Sequence, residues 1–232
     1  LSTTYRTPNL DQATESIDQM ATGGLPSGSP IYQRLYNPTV ARFEQALADL
    51  EGGFSAVAFS SGMAAVTGVL LAAKLGGNHV VAVRPLYGGT DHLLASGLLG
   101  LEVSWATADT VAEHLRDDTA LVICETPANP TIKLLDIEAV VNAAAGVPVL
   151  VDSTFATPIL QNPIKHGAAL VLHSGTKFLG GHGDIMAGAV VANAEWTARL
   201  RQVRILTGAN LHPSAAYGLH RGLQTLPIRI RA

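Results

Sequence analysis

The chain has 232 residues, 47% hydrophobic and 14% charged, with a formal net charge of -3 at neutral pH. That balance supports a sizeable core and excludes a disordered chain. The interspersed charges offer no electrostatic face to nucleic acid or an anionic membrane. One cysteine, Cys124, rules out an intrachain disulfide, so a reducing, cytoplasmic location is expected. The longest apolar runs, such as residues 63–73, are interrupted by Gly and Thr and are too short to span a bilayer. The N-terminus lacks the basic and apolar regions of a signal peptide. The chain begins at Leu1 and ends on Arg229-Ile230-Arg231-Ala232, which reads as an interior portion of a longer protein.

Residues 1–30 are polar and rich in Gly, Pro, Ser and Thr, and read as an N-terminal arm with one short helix over 11–20. From Thr39 onward Val40, Phe43, Leu47 and Leu50 recur at helical spacing, and Gly52-Gly53 ends that helix. An alternation follows. Strands are predicted over 55–59, 79–84, 101–105, 120–124, 147–151 and 168–173, separated by helices over 63–75, 91–99, 111–116 and 136–145. Several strands are apolar throughout, as parallel strands covered on both faces are. The spacing implies βαβ units and a doubly wound, mostly parallel α/β sheet with helices on both faces, filling residues 31–232. A further strand over 187–192 and helices over 194–206 and 212–224 complete the chain.

In such sheets ligands bind beyond the carboxyl ends of the strands. Small polar or ionisable residues gather there: Ser60-Ser61-Gly62-Met63, Tyr87, Glu125 with Asn129, Asp152, and Ser174 to Lys177. Lys177 follows an apolar strand, where loss of water lowers a lysine's pKa and makes it a nucleophile. Ser61-Gly62-Met63 joins a strand to a helix, a place for anion binding by backbone N–H groups. Asp152 closes a buried strand, Tyr87 sits where a ring can stack on a planar ligand, and Arg34 suits phosphate. Taken singly, each has a plainer explanation. Lys177 reads as a surface lysine, Ser61 as a helix cap, Asp152 as a turn residue, Tyr87 as a half-buried tyrosine, and Tyr32/Arg34 as a solvated arm. Cys124 falls in a buried strand and reads as inert core. His182, among glycines, points to an unusual backbone path; without a second His or Cys at ligand spacing, no metal site is expected. The Ser-x-x-Lys of serine β-lactamases is rejected because Ser-Asp-Asn and Lys-Thr-Gly do not occur.

As an ordered set, from Tyr32-Gln33-Arg34…Asn37-Pro38-Thr39 through Glu125-Thr126-Pro127-Ala128-Asn129-Pro130 to Ser174-Gly175-Thr176-Lys177-Phe178-Leu179-Gly180-Gly181-His182, the sequence resembles the cystathionine γ-synthase/γ-lyase family. These are pyridoxal-phosphate (PLP) enzymes of Cys/Met metabolism, including methionine γ-lyases and O-acylhomoserine sulfhydrylases. The resemblance implies a fold type I, PLP-transferase-like large domain whose C-terminal small domain is absent from this chain. It implies PLP held as a Schiff base by Lys177, with Asp152 on the ring nitrogen and Tyr87 stacked on the ring. Asn129 falls near the ring hydroxyl, with Glu125 behind it. Ser61, Gly62, Met63, Ser174 and Thr176 fall around the phosphate, and Tyr32 and Arg34 reach into a neighbouring subunit's site. Catalytic roles fall to Lys177, Tyr87 and Asp152. The implied reaction is β/γ-elimination or γ-replacement on a sulfur-containing amino acid or O-acylhomoserine, by a homotetramer of dimers with shared sites. The alternatives are another fold type I enzyme, an aminotransferase or desulfurase, or a truncated non-catalytic domain. The polar run before Tyr32 suggests that little holds the arm to its own domain.

Overall fold

The computed structural model describes residues 2–52 and 55–232. In it α1 (Leu10–Ala21) and α2 (Pro38–Glu51) precede β1 (Ser55–Phe59), α3 (Gly62–Ala73), β2 (His79–Val83) and α4 (Gly88–Ala95). Then come β3 (Glu102–Ala106), β4 (Thr119–Glu125), α5 (Ile137–Ala143), β5 (Val149–Asp152), the single turn α6 (Thr157–Leu160) and β6 (Leu170–Ser174). The chain closes with β7 (Gly188–Ala192), α7 (Ala194–Thr207) and α8 (Pro213–Arg231). Asn37 caps α2, its Oδ1 accepting from Thr39 and Val40 N–H with Pro38 at the first turn. Gly52, at φ 118°, ends that helix as read from the sequence; Gly53 lies outside the described residues. The helix expected over 111–116 is a 3-10 turn at Ala108–His114.

The seven strands are ordered β1-β7-β6-β5-β4-β2-β3. β3, β2, β4, β5 and β6 pair in parallel, while β7 is antiparallel to both β6 and β1. Two reversals restore direction, so β1 runs with the parallel set and its carboxyl end joins theirs. The connection from β6 to β7 carries one π-helical turn, Gly175–Leu179, and no crossover helix, so the chain returns antiparallel. Expected from the sequence was a strand there, without its direction.

Alternate residues of each strand serve opposite faces. Val57, Phe59, Leu121, Ile123, Leu150, Leu170 and Leu172 pack with Val66 and Val69 of α3 and Leu200 of α7. Ala56, Ala58, Val171, Ala189 and Val191 pack on the other side with Phe43 and Leu47 of α2 and Leu219 and Leu223 of α8. Val81, Val122, Cys124 and Val151 extend that second face to Val140 of α5. Burial on both faces explains the unbroken apolar strands. No helix among the described residues is long and apolar enough to cross a membrane.

The N-terminal segment is held more firmly than its polarity suggested. Met20 and Ser16 of α1 are buried, Tyr5 N–H donates to Ile31 O at 3.1 Å, and Asn37 Nδ2 donates to the Tyr5 hydroxyl at 2.8 Å. Arg34 Nη1 donates to Ile205 O at 2.7 Å, and Asn210 Nδ2 to Arg34 O at 3.1 Å. The expectation of a loose arm is corrected: the buried Met20 of α1, backbone carbonyls and a few long-range side-chain bonds hold it.

Candidate active site

The carboxyl ends of β1, β2, β4, β5 and β6 open into one cavity of about 220 Å3. Ser61, Gly62, Met63, Tyr87, Glu125, Asn129, Asp152, Ser174, Thr176 and Lys177 all line it. Every candidate residue from Ser61 onward is therefore brought together. Ser61 caps α3 through Oγ, which accepts from Ala64 N–H at 3.0 Å, leaving the N–H groups of Gly62 and Met63 without a partner among the described residues, as the first donors of a helix are. The turn lies hard against the sheet: a Cβ on Gly188 of β7 would fall 2.2 Å from Ser61 O, so only glycine fits there.

Asp152 ends β5, part-buried at the cavity. Its Oδ1 accepts from Thr154 N–H at 3.0 Å and from the Thr154 hydroxyl at 2.6 Å. No other donor reaches it among the described residues, so Oδ2 is left without a protein partner. Thr154 Oγ1 in turn accepts from Ser174 N–H at 2.8 Å, joining the ends of β5 and β6. Burial raises the Asp152 pKa, against the Thr154 hydrogen bonds and the nearby His173. Glu125 is next to it across the sheet, in register with Asp152. Its Oε2 accepts from Tyr87 N–H, and its Oε1 from Asn129 N–H at 3.0 Å. Burial first and the Asp152 charge second push Glu125 up to about 7, over the opposing pull of the two N–H donors. The resemblance counted Glu125 with the cofactor residues but behind Asn129; both of its oxygens face backbone N–H groups.

Lys177 sits in the π-helical turn with non-helical φ -89°, ψ -122°, and its O accepts from Gly181 N–H at 2.8 Å. Its side chain is exposed in the open cavity, which corrects the expectation of a dry floor around it. α8 backs the turn closely, for Gly222 leaves no room for a Cβ, which would lie 2.4 Å from Leu179 O. Arg229 Nη1 donates to Phe178 O at 2.8 Å. Thr176 Oγ1 is engaged by Ala187, donating to its O at 3.2 Å and accepting from its N–H at 3.0 Å. That hydroxyl's donor is spent inside the chain. Gly181 and Gly183 adopt φ 78° and 71°, and His182 Nδ1 meets Gly180 O at 2.7 Å, the backbone path the glycines suggested.

Tyr32 and Arg34 are not in this lining. Tyr32 is 40% exposed, with the Arg34 guanidinium 5.3 Å over its ring. Sequence reasoning passed over Val66, Thr90, Thr154, Phe155, Leu172 and Met186, which complete the wall. Thr154 had a signal: a hydroxyl two residues past a strand-end aspartate makes a local turn. Phe155 and Met186 had none. Among the described residues no group of three or more His, Cys, Asp or Glu is placed to hold a metal ion.

Residues 1–232 match the family described as Cys/Met metabolism PLP-dependent enzymes. L-methionine gamma-lyase of Brevibacterium aurantiacum is 60% identical over 235 residues, covering all of this chain and 58% of that protein. L-methionine gamma-lyase of Streptomyces avermitilis is 59% identical over 236 residues, covering 57% of its length. Among solved structures, cystathionine gamma synthase from Xanthomonas oryzae pv. oryzae in complex with cystathionine superposes with a TM-score of 0.85. It is 34% identical, and the match covers 98% of this chain and 57% of that one. The chain thus spans under two thirds of the length of the relatives it matches.

Proposed function

The chain belongs to the Cys/Met metabolism family of PLP-dependent enzymes, and from that premise we propose that the whole protein is a carbon–sulfur lyase acting on L-methionine. Elimination at Cγ, with water consumed, gives 2-oxobutanoate, methanethiol and ammonia. The observation that carries the reading is the convergence of Lys177, Asp152, Tyr87 and the Ser61–Met63 turn on one cavity. The choice of methionine is supported by the relatives named for it at 59% and 60% identity. Replacement at Cγ by a thiol is the second reading, favoured by the likeness to a solved cystathionine gamma synthase.

The residues suit the cofactor. A carboxylate with one free oxygen and a raised pKa wants a cationic partner, as a protonated ring nitrogen is. The unpaired N–H groups of Gly62 and Met63 suit a phosphate, with the Ser61 and Ser174 side chains beside it. PLP, when bound, supplies the electron sink that stabilises negative charge at the substrate Cα. Asp152 would hold the ring-nitrogen proton in place. Tyr87 would lie beside the ring, and Asn129 near its hydroxyl. Lys177 would hold the cofactor and, with help from Tyr87, is placed to move protons at the substrate Cα and Cβ. Residues 1–30 form an arm on the 31–232 cofactor domain. Tyr32 and Arg34, outside their own chain's cavity, serve a partner's phosphate in a homotetramer of dimers. The single buried, free Cys124 fits a cytoplasmic setting.

The test uses the full-length, PLP-loaded protein. Methionine should yield 2-oxobutanoate, and borohydride should fix a pyridoxyl group on Lys177. Lys177→Ala should abolish turnover, and mixing its subunits with inactive Arg34→Ala subunits should return part of it. A label on another lysine, or no 2-oxobutanoate from methionine, overturns the assignment. Verified subunit exchange with no recovery overturns the shared site.

A further inference from the structure

Glu125 has chemistry that cofactor binding does not use. It is 6% exposed, ends β4, and spends its two carboxylate oxygens on two different loops. Oε2 accepts from the N–H of Tyr87, the residue just ahead of α4. Oε1 accepts from the N–H of Asn129, four residues further along its own chain. Both loops place a side chain in the cavity wall. The loops have other ties as well: Thr126 N–H donates to Asp152 O at 3.2 Å, and Gln161 Nε2 to Thr126 O at 3.1 Å. Arg84 holds the first loop outward, donating to Asp91 Oδ2 at 2.7 Å and Oδ1 at 3.1 Å while lying 3.7 Å over the Trp105 ring. The second loop is closed by Ala128 N–H to Lys133 O at 3.0 Å. Among the described residues Glu125 is the side chain bonded to both loops.

We infer that Glu125 is a positioning residue, a two-oxygen clamp that sets the Tyr87 ring and the Asn129 amide relative to each other across the cavity. The geometry demands a carboxylate. Two backbone N–H donors converge on one side chain, so it must offer two acceptors. A glutamine has the same shape but only one acceptor; its NH2 would confront whichever N–H it faced. A buried N–H left that way loses its partner and gains no water, so the loop carrying it opens more often. Gly89 adds a second constraint on the same loop. A Cβ there would lie 2.6 Å from Tyr87 Cε1 and 3.0 Å from Met63 Sδ, so the ring is braced on that side, while Tyr87 is 44% exposed elsewhere. The clamp therefore sets the aim of a ring held on one side rather than filling space.

This inference rests on the cofactor reading for its purpose but not for its geometry, and the experiment separates the two. Amide hydrogen exchange is followed on the full-length, cofactor-free protein, comparing Glu125→Gln and Glu125→Asp with the parent. In Glu125→Gln, peptides over 84–90, 126–133 or both should exchange roughly tenfold faster. Peptides from β5 and β6 should be unchanged. Glu125→Asp, which keeps two oxygens, should recover part of the protection. On loading with PLP, Glu125→Gln should lose at least about half of the visible circular dichroism band that a ring held in one asymmetric pose gives. Unchanged exchange at both loops overturns the clamp, and so does an equal rise throughout the sheet. Altered exchange with an unaltered dichroic band overturns its role in aiming Tyr87 and Asn129. Failure of the protein to bind PLP at all sinks the cofactor reading and leaves the exchange result standing.

Discussion

Two regions of this molecule bury carboxylates, and they treat them oppositely. Behind the sheet, both buried acids of α2, Glu44 and Glu51, meet a base from the chain itself. Arg204 Nη1 lies 2.7 Å from Glu44 Oε1, which also takes Ala58 N–H at 2.8 Å. Glu51 Oε1 lies 2.6 Å from His173 Nε2, with both side chains fully buried. In the cavity, Glu125 and Asp152 sit in register on adjacent strands, and neither has an ion-pair partner among the described residues. Their hydrogen bonds come from neutral N–H and hydroxyl donors. In the first region each buried acid faces a basic side chain of the fold, as a buried charge requires, although His173 Nδ1 and Arg204 Nε have no hydrogen-bond partner among the described residues. The second is left short of positive charge, and a cationic ligand ring is what would complete it.

That contrast can be broken at either end. The largest effect is expected from Asp152→Asn. In the loaded enzyme, turnover should fall on the order of a hundredfold, because a neutral amide no longer favours a protonated ring nitrogen. The same variant without cofactor should melt higher than the parent, since a buried charge without a counter-ion has been removed. Steady-state kinetics and thermal melting check the two halves, and near-parent turnover would contradict the Asp152 role. Behind the sheet the sign of the stability change reverses. Arg204→Met should destabilise the protein by about 3–5 kcal/mol by stranding Glu44, read by denaturant titration. A loss under about 1 kcal/mol would mean that the pair is no more than a surface-like bridge.

The pH dependence sharpens the comparison further. Glu125 is held at about 7, above the ordinary carboxylate value, so the folded cofactor-free protein binds its proton more tightly than the unfolded chain does. The stability from that proton is fully present below about 4.5 and is lost as pH rises through about 7, by up to about 3 kcal/mol. Unfolding free energies at pH 5 and pH 8 should show the decline, and Glu125→Gln should flatten it. A parent protein whose stability climbs steadily over that interval would refute the account.

How much of this was legible differs by residue. The strand carrying Cys124 was readable because both of its faces are buried, and the helix after Gly62 because Ser61 caps it. The candidate residues from Ser61 to Lys177 were readable as polar residues after apolar runs, a local pattern. The resemblance places Thr176 at the phosphate, but the use of its hydroxyl by Ala187 depends on the return of β7 beside it. Arg34 was read as loosely tethered, yet its bond to Ile205 O spans 171 positions in the chain, beyond any local pattern.

By itself, then, the sequence determined the strands and the longer helices, though not the 3-10 turn at Ala108–His114, the single turn α6 or the π-helical turn at Gly175–Leu179, and which residues stand at the strand ends. Those depend on apolar period, caps and turns that act over a few neighbours. The tertiary structure alone decided the strand order β1-β7-β6-β5-β4-β2-β3 and the reversed direction of β7. It also decided that Glu125 serves two loops while Glu44 finds Arg204, 160 positions away. Which charge is paired and which is left for a ligand is a matter of what packs across the sheet, and packing between distant segments leaves no periodic trace along the chain.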